Sequence, residues 1–112
     1  MDKPSLYAQY LAEKTEDHIL EIESGFATYR YLLDGACYLV DIYVTPEARK
    51  RYLATELADS ISAKARERGC NRLVGTVVPS AKNSTDSLRV LLAYGMRLVS
   101  AGPDLIVFEK AL

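Results

Sequence analysis

Residues 41–55 read DIYVTPEARKRYLAT, and within them a β-strand pattern gives way to a helix pattern. The strand-forming run ends at Val44, and Pro46 follows it before a helical repeat begins. Three consecutive cations lie between the two patterns, Arg49, Lys50 and Arg51. The first turn of a helix has unpaired N–H groups and the positive end of the helix dipole. The stretch therefore predicts an anion site, with a phosphate held where the chain enters the helix.

The chain after this stretch has the pattern of a crossover connection. Apolar residues recur every four positions from Leu53 to Ala65, which predicts a helix over 52–68 that ends at Gly69. A short apolar run over 73–78 follows and predicts a buried strand. Because a strand–helix–strand order needs a crossover, the strands on either side of this helix are expected to be parallel.

The other segments complete a mixed sheet with helices on its faces, an α/β fold of the α+β type. The turn dipeptide Asp34-Gly35 predicts a hairpin in an antiparallel meander. The predicted order is α-β-β-β-α-β-α-β-β. The helices are expected over 4–14, 52–68 and 85–94, with Leu88, Leu91 and Leu92 of the last pointing inward. The strands are expected over 18–23, 25–33, 36–44, 73–78, 96–100 and 105–110.

Size and charge restrict the classes of protein that this chain can represent. With 112 residues, a single domain over 1–112 is expected. The formal net charge is -1, which does not favour a nucleic-acid partner. Neither a membrane span nor a targeting peptide is visible. Two cysteines, Cys37 and Cys70, are expected to be free thiols, so a cytoplasmic location is predicted.

The phosphate stretch resembles the coenzyme A-binding motif of the GCN5-related N-acetyltransferases, V-x-P-x-x-(Q/R)-x-x-G-x-(G/A). Val44, Pro46, Arg49 and Ala54 match it at the family's spacing, and Tyr52 stands where the family has glycine. The resemblance implies acetyl-coenzyme A as co-substrate. It also implies an antiparallel meander joined to a splayed pair of parallel strands, with the family's first strand and first helix reduced.

A second stretch is similar to the family's other cofactor motif, a helix that ends in Gly-Phe. Here Gly95 is followed by methionine, and counting back from it places Ser87 and Ser84 at the positions of a small residue and an asparagine. Asn83 is one residue away and could take the asparagine's role. Leu91 stands where many members have a tyrosine that protonates the departing thiolate.

These matches imply a set of site residues. Asp41 is the only carboxylate on its strand and is the candidate base, while the neighbouring strand offers only Thr76. No metal is expected, because a single histidine, His18, cannot form a metal site alone. The cofactor-binding residues are expected to be Ile42, Tyr43, Val44, Arg49, Lys50, Arg51, Tyr52, Leu53, Ala54, Thr55, Asn83, Ser84 and Ser87.

The resemblance implies direct attack of a primary amine on the thioester of acetyl-coenzyme A. The acceptor is either a protein or a small molecule. The alternative is a catalytically inert member that acts as a coenzyme A-binding or protein-binding regulatory module, which Tyr52 and Leu91 favour. A third hypothesis is a general α/β scaffold that binds another anion. The reduced N-terminal segments would leave one wall of the acceptor groove open, so a protein tail or a homodimer is expected to complete it.

Overall fold

The computed structural model describes residues 5–51, 53–82 and 84–112. Pro4, expected in the first turn of the first helix, lies outside this range, as do Tyr52 and Asn83. The helices are α1 (Leu6–Lys14), α2 (Leu53–Glu67) and α3 (Ser84–Ala93), with a 3-10 turn at Pro46–Arg51. The strands are β1 (His18–Ile22), β2 (Gly25–Tyr31), β3 (Ala36–Val44), β4 (Arg72–Val77), β5 (Arg97–Ala101) and β6 (Ile106–Ala111).

The six strands form one mixed sheet in the order β1-β2-β3-β4-β6-β5. β3 and β4 are parallel, and every other neighbouring pair is antiparallel. The predicted fold class, element order and parallel pair are therefore confirmed. The final hairpin adds its second strand, β6, next to β4, so β5 becomes the edge strand.

The helices cover the two faces of the sheet to different extents. Cross-strand partners share a face of a sheet, and neighbours along a strand alternate between faces. Ala27, fully buried, packs in the core that includes Leu57 and Ile61 of α2. The next residue towards the N-terminus, Phe26, points the other way and contacts Tyr7 of α1. α2 therefore covers one face, and α1 covers part of the opposite face.

α2 and α3 are joined on the same face by a buried polar contact. The hydroxyl of Tyr94 donates to the carboxylate of Asp59 at 2.7 Å and lies 3.0 Å from the hydroxyl of Ser62. The close approach of α3 to β4 depends on Gly75, because a Cβ there would lie 3.0 Å from Cδ2 of Leu91. The end of α3 is thereby fixed between α2 and the sheet.

The helical repeats predict the buried faces of α2 correctly and that of α3 only in part. Leu57 and Ile61 of α2 are buried, and Gly69 ends the helix with φ 82° in the left-handed region. In α3, Leu91 is buried, but Leu92, also expected to point inward, is 53% exposed. That expectation was wrong because Leu91 and Leu92 are consecutive, about 100° apart around the helix, and α3 packs on a single face.

Candidate functional site

β3 and β4 separate partway along their length. Their parallel pairing runs from Ala36 opposite Arg72 to Leu39 opposite Gly75. β3 then continues to Val44 without pairing to β4. The cause lies in the register with β2, where Thr28 pairs with Asp41 and Tyr29 pairs with Leu39. Val40 is therefore an extra residue in β3, a β-bulge that bends the strand away from β4.

The separation opens a cleft of about 700 Å³ between the two strands. Unpaired backbone groups of β3 face it, and such groups need a hydrogen-bonding partner. The lining comes from β3, from β4 with the turn after it, from the start of α2 and from α3. The described lining residues are Tyr38, Leu39, Val40, Asp41, Ile42, Tyr43, Val44, Arg49, Ala54, Thr76, Val77, Val78, Ala81, Lys82, Arg89, Val90 and Leu91.

The chain enters the cleft end of α2 through the 3-10 turn rather than through an irregular loop. Arg49 of this turn folds back on β3: its Nε donates to the carbonyl of Val44 at 3.1 Å, and its guanidinium carbon lies 5.9 Å from the centre of the Tyr43 ring. These contacts hold the cation beside the cleft. Lys50 and Arg51 continue the turn, and their side chains lie outside the described part of the structure.

The predicted cofactor residues lie around this cleft to different extents. Ile42, Tyr43, Val44, Arg49 and Ala54 all line it. Two others, Leu53 and Thr55, are half-buried at the start of α2 and do not line it, and Leu53 packs against the core instead. The predicted residues Tyr52 and Asn83 lie outside the described residues, as do the side chains of Ser84 and Ser87 at the start of α3.

Asp41, the candidate base, lines the cleft just after the bulge. Asp41 is exposed, but the protein around its carboxyl removes part of the hydration. This desolvation raises the pKa of Asp41 above the ordinary aspartate value, and the negative charge of Asp17 raises it further. Asp17 itself is paired with Arg30, with 2.5 Å between the carboxylate and Nε. A carboxyl with a raised pKa is a better proton acceptor at neutral pH than an ordinary aspartate.

Two hydroxyls lie where the strands begin to separate. Tyr38 and Thr76 are hydrogen bonded across the gap, with 2.7 Å between the two oxygens. The sequence singled out Thr76 but missed Tyr38. The signal was present: Tyr38 is three residues before Asp41, and the bulge at Val40 places both side chains on one face of β3.

Leu91 stands at the position where many family members have a tyrosine that acts as general acid. Leu91 lines the cleft with a side chain that cannot donate a proton. Tyr94, three positions further on, does not line the cleft, because its hydroxyl is held by Asp59 and Ser62. Among the described residues, no tyrosine of α3 or its C-terminal turn therefore reaches the cleft.

Two further cations of the lining, Lys82 and Arg89, were not identified from the sequence. Lys82 precedes α3 and Arg89 lies in its middle, both exposed. Together with Arg49 they place positive charge along the side of the cleft formed by the helix ends. No sequence pattern marked them, because Lys82 precedes the helix and a seven-residue spacing places two residues on one helix face only when both are helical.

A second depression, of about 530 Å³, lies at the far end of the sheet beside Arg97, Glu109 and Lys110. Its charged groups are already engaged: Arg97 contacts Glu109 at 2.7 Å, and Lys110 donates to the carbonyl of Tyr94 at 2.9 Å. Two of the strands beside it, β4 and β6, stay paired from Arg72 opposite Ala111 to Val77 opposite Ile106, with no separation like that of β3 from β4. The cleft between β3 and β4 is therefore the better candidate site.

Three other observations concern classes of site. None of the described helices has the length and apolarity needed to cross a membrane. Over residues 5–51, 53–82 and 84–112, no cluster of three or more acidic, histidine or cysteine side chains is placed to hold a metal ion. Both cysteines are free thiols as predicted, with Cys37 buried.

Comparison with known proteins points to one family. Residues 5–89 match the family profile described as "Acetyltransferase (GNAT) family". No curated protein sequence matches the chain.

The fold is shared with several solved structures. A GNAT-family protein from Desulfovibrio desulfuricans superposes with a TM-score of 0.75 at 18% identity, over 92% of this chain and 75% of that one. The PaiA N-acetyltransferase of Thermoplasma acidophilum, in complex with coenzyme A, gives 0.75 at 12% identity over 93% and 66%. A Bacillus subtilis acetyltransferase in complex with coenzyme A gives 0.68 at 12% identity over 95% and 82%. At these identities the likeness concerns the fold.

Proposed function

Since the chain belongs to the GNAT acetyltransferase family, we propose that it transfers an acetyl group from acetyl-coenzyme A to a primary amine. The observation that carries the proposal is the separation of β3 from β4 after Leu39, which leaves strand backbone facing a cleft that ends at the start of α2. Solved structures of the same fold contain coenzyme A, which supports a coenzyme A thioester as co-substrate.

The residues present fit such a ligand. The backbone of Ile42 to Val44, unpaired with β4, can hydrogen bond to the amide-containing pantetheine arm. The N–H groups at the start of α2 can hold the pyrophosphate, and Arg49 adds a cation there. Lys82 and Arg89 extend the positive charge along the same side of the cleft.

The reaction needs few groups from the protein. The amine nitrogen forms a bond to the thioester carbon, the carbon–sulfur bond breaks, and the amine loses a proton. Holding the two reactants in the right geometry can supply about 7–11 kcal/mol of the barrier. Asp41 accepts the proton that converts the bound ammonium to the attacking amine, directly or through a water molecule, and its raised pKa suits that role. The second N–H proton, lost when the amide forms, goes to solvent.

Leu91 changes the last step. It offers no proton to the departing thiolate, so this proton comes from solvent. General acid catalysis typically contributes about 10²–10⁴-fold, so the reaction is expected to be slow for this family. The same residue favours a second candidate function, a coenzyme A-binding protein without turnover that acts as a regulatory module.

A titration with coenzyme A and acetyl-coenzyme A, followed by thermal unfolding, tests the binding half of the proposal. Saturable stabilisation is expected with both, and none with ATP or inorganic phosphate. Arg49→Glu should weaken coenzyme A binding because it places a negative charge beside the pyrophosphate. Lys64→Glu, the same charge reversal on the exposed side of α2, is the matched control and should bind normally.

Turnover distinguishes the two candidate functions. Release of free thiol in the presence of a panel of amines supports the transferase, whereas coenzyme A binding without turnover across the panel supports the regulatory module. Absence of any response to coenzyme A would exclude both.

Location and partners belong to the same proposal. Two free thiols fit the reducing cytoplasm. α1 covers only part of its face of the sheet, so a homodimer or a bound protein tail could complete the wall of the acceptor groove. Equilibrium sedimentation that finds only monomer would rule out the homodimer.

A further inference from the structure

Side chains from both faces of the sheet line the cleft, and the two faces are covered differently. On one face, α2 and α3 lie over it. On the opposite face, α1 is the one described helix and covers part of β1 and β2, while side chains of β3 and β4 border the cleft. Cross-strand partners define this second face, since Tyr43 is opposite Phe26 and Asp41 is opposite Thr28. An acceptor must enter here, because the proposed cofactor occupies the side formed by the helix ends.

A row of three aromatic rings borders this opening. The ring centres of Tyr7 and Phe26 are 6.3 Å apart and edge to face, and those of Phe26 and Tyr43 are 5.8 Å apart. The row therefore runs from α1 across β2 to the cleft-lining strand β3. Both end rings are accessible, since Tyr7 is 48% and Tyr43 is 44% exposed. Accessible rings next to a cleft give an apolar surface that a flat or aliphatic group can cover.

The described lining of the cleft supplies a single carboxylate on this face. Asp41 is the one acidic residue among the described residues that line the cleft. No described side chain forms an ion pair with it, whereas Asp17 behind it is already paired with Arg30. A ligand cation would compensate the partial desolvation of this carboxylate, which no described side chain does.

Thr28, the residue of β2 that pairs with Asp41, has a buried hydroxyl without a described partner. Thr28 is 3% exposed, and its Oγ1 has no hydrogen-bond partner among the described residues. Its strand position is directly opposite Asp41, so its side chain is on the face where the acceptor enters. A buried hydroxyl without a partner indicates a place where a ligand or an ordered water can bind.

We propose that the acceptor is a small monoamine with an aromatic or aliphatic body, held with its ammonium at Asp41 and its body along the row Tyr43–Phe26–Tyr7. The proposal rests on the proposed function and narrows its substrate class. One carboxylate in the cleft lining matches one positive charge, whereas a polyamine needs further free carboxylates along the groove. Glu21, beside Phe26 on the same face, already accepts a hydrogen bond from the hydroxyl of Ser5. The rings favour an apolar body over a sugar, whose hydroxyls would need many polar partners.

The experiment compares amines that differ only in the body they carry. Coenzyme A binding is measured first. 2-Phenylethylamine, ethylamine, spermidine and a lysine-containing peptide are then compared, both by stabilisation of the coenzyme A complex and by thiol release with acetyl-coenzyme A. We expect kcat/KM for 2-phenylethylamine to exceed that for ethylamine about tenfold or more, since burying the ring against the row supplies the difference.

Variants of the row locate the effect. Phe26→Leu should raise KM for 2-phenylethylamine several-fold, to about tenfold, with KM for ethylamine unchanged. Tyr43→Ala should raise KM for 2-phenylethylamine by a larger factor than KM for ethylamine. Phe26 does not line the cleft, so its variant tests the row even if Tyr43→Ala also disturbs Arg49. Leu98→Ala, an equally exposed apolar residue on the edge strand β5, is the control.

The outcomes separate the two proposals. Equal or better use of ethylamine, spermidine or the peptide would overturn the acceptor class while leaving the transferase intact, and so would a KM that the row variants leave unchanged. If no amine is acetylated, stabilisation of the coenzyme A complex by 2-phenylethylamine still supports the acceptor site, and its absence overturns it. Failure to bind coenzyme A would remove both proposals.

Discussion

Gly25 is the position at which one added methyl group should do most harm. It pairs with Val44 at the end of the β2–β3 ladder. A Cβ there would overlap the carbonyl oxygen of Tyr43 and lie 3.0 Å from Cα of Val44. Comfortable contacts between carbon atoms are about 3.5–4.0 Å, and both obstacles are backbone, so the strands must move apart. Overpacking of this kind typically costs 1–3 kcal/mol, and with a backbone obstacle we expect Gly25→Ala to cost about 2–3 kcal/mol.

This destabilisation is measurable by urea and thermal unfolding. For a chain of this size each kcal/mol lowers Tm by roughly 4–8 °C, so a fall of about 10–20 °C is expected. Gly102→Ala is the matched control, because the nearest atom to its added Cβ is 3.7 Å away. Since Tyr43 and Val44 line the cleft, Gly25→Ala should also weaken coenzyme A binding in the fraction that stays folded. A Tm within about 2 °C of the parent would refute the proposed clash.

Three further predictions concern single side chains. Asp41→Asn should raise Tm at pH 7, because the raised pKa of Asp41 means that the folded state disfavours the charged carboxyl. The gain should disappear as the pH falls through that pKa towards the ordinary value of 3.8, and a gain that persists at low pH would contradict the prediction. Thr28→Val should raise the free energy of unfolding in urea by about 1 kcal/mol, because it removes a buried hydroxyl without a described hydrogen-bond partner. A lower free energy of unfolding would show that the hydroxyl does have a hydrogen-bond partner. Iodoacetamide should leave Cys37 unlabelled in the folded protein, because burial raises the pKa of its thiol to about 11. Cys70, which is half-buried, should react first. Peptide mass spectrometry that finds Cys37 labelled first would contradict this prediction.

The sequence predicted the sheet well because its signals are local. Turn residues at Gly35 and Gly69, and apolar repeats in α2, are each readable within a few residues, and the crossover rule then fixes the parallel pair. α1 is the weaker case. The helical spacing of Tyr7, Tyr10 and Leu11 is real, but only Leu11 is buried. Tyr7 contacts Phe26 across the sheet face instead, a contact that depends on how α1 docks.

The site residues that are contiguous in the sequence could be predicted, whereas those that tertiary packing brings together could not. The strand end and helix start around Val44 and Arg49 are contiguous, so one motif identified them. Lys82 and Arg89 reach the cleft only because Gly75 lets α3 pack closely on β4. The aromatic row could not be predicted either, since Phe26 and Tyr43 become neighbours through the β2–β3 register, which the bulge at Val40 resets.

Hydrogen–deuterium exchange with and without saturating coenzyme A examines the separated strands most directly. Peptides covering 40–44 should exchange more slowly in the complex, because the ligand's amides pair with backbone groups that β4 leaves unpaired. Slower exchange should extend to the first turn of α2 and spare the β5–β6 hairpin. Unchanged exchange over 40–44 in a saturated complex would mean that coenzyme A binds elsewhere, and the assignment of this cleft would be wrong.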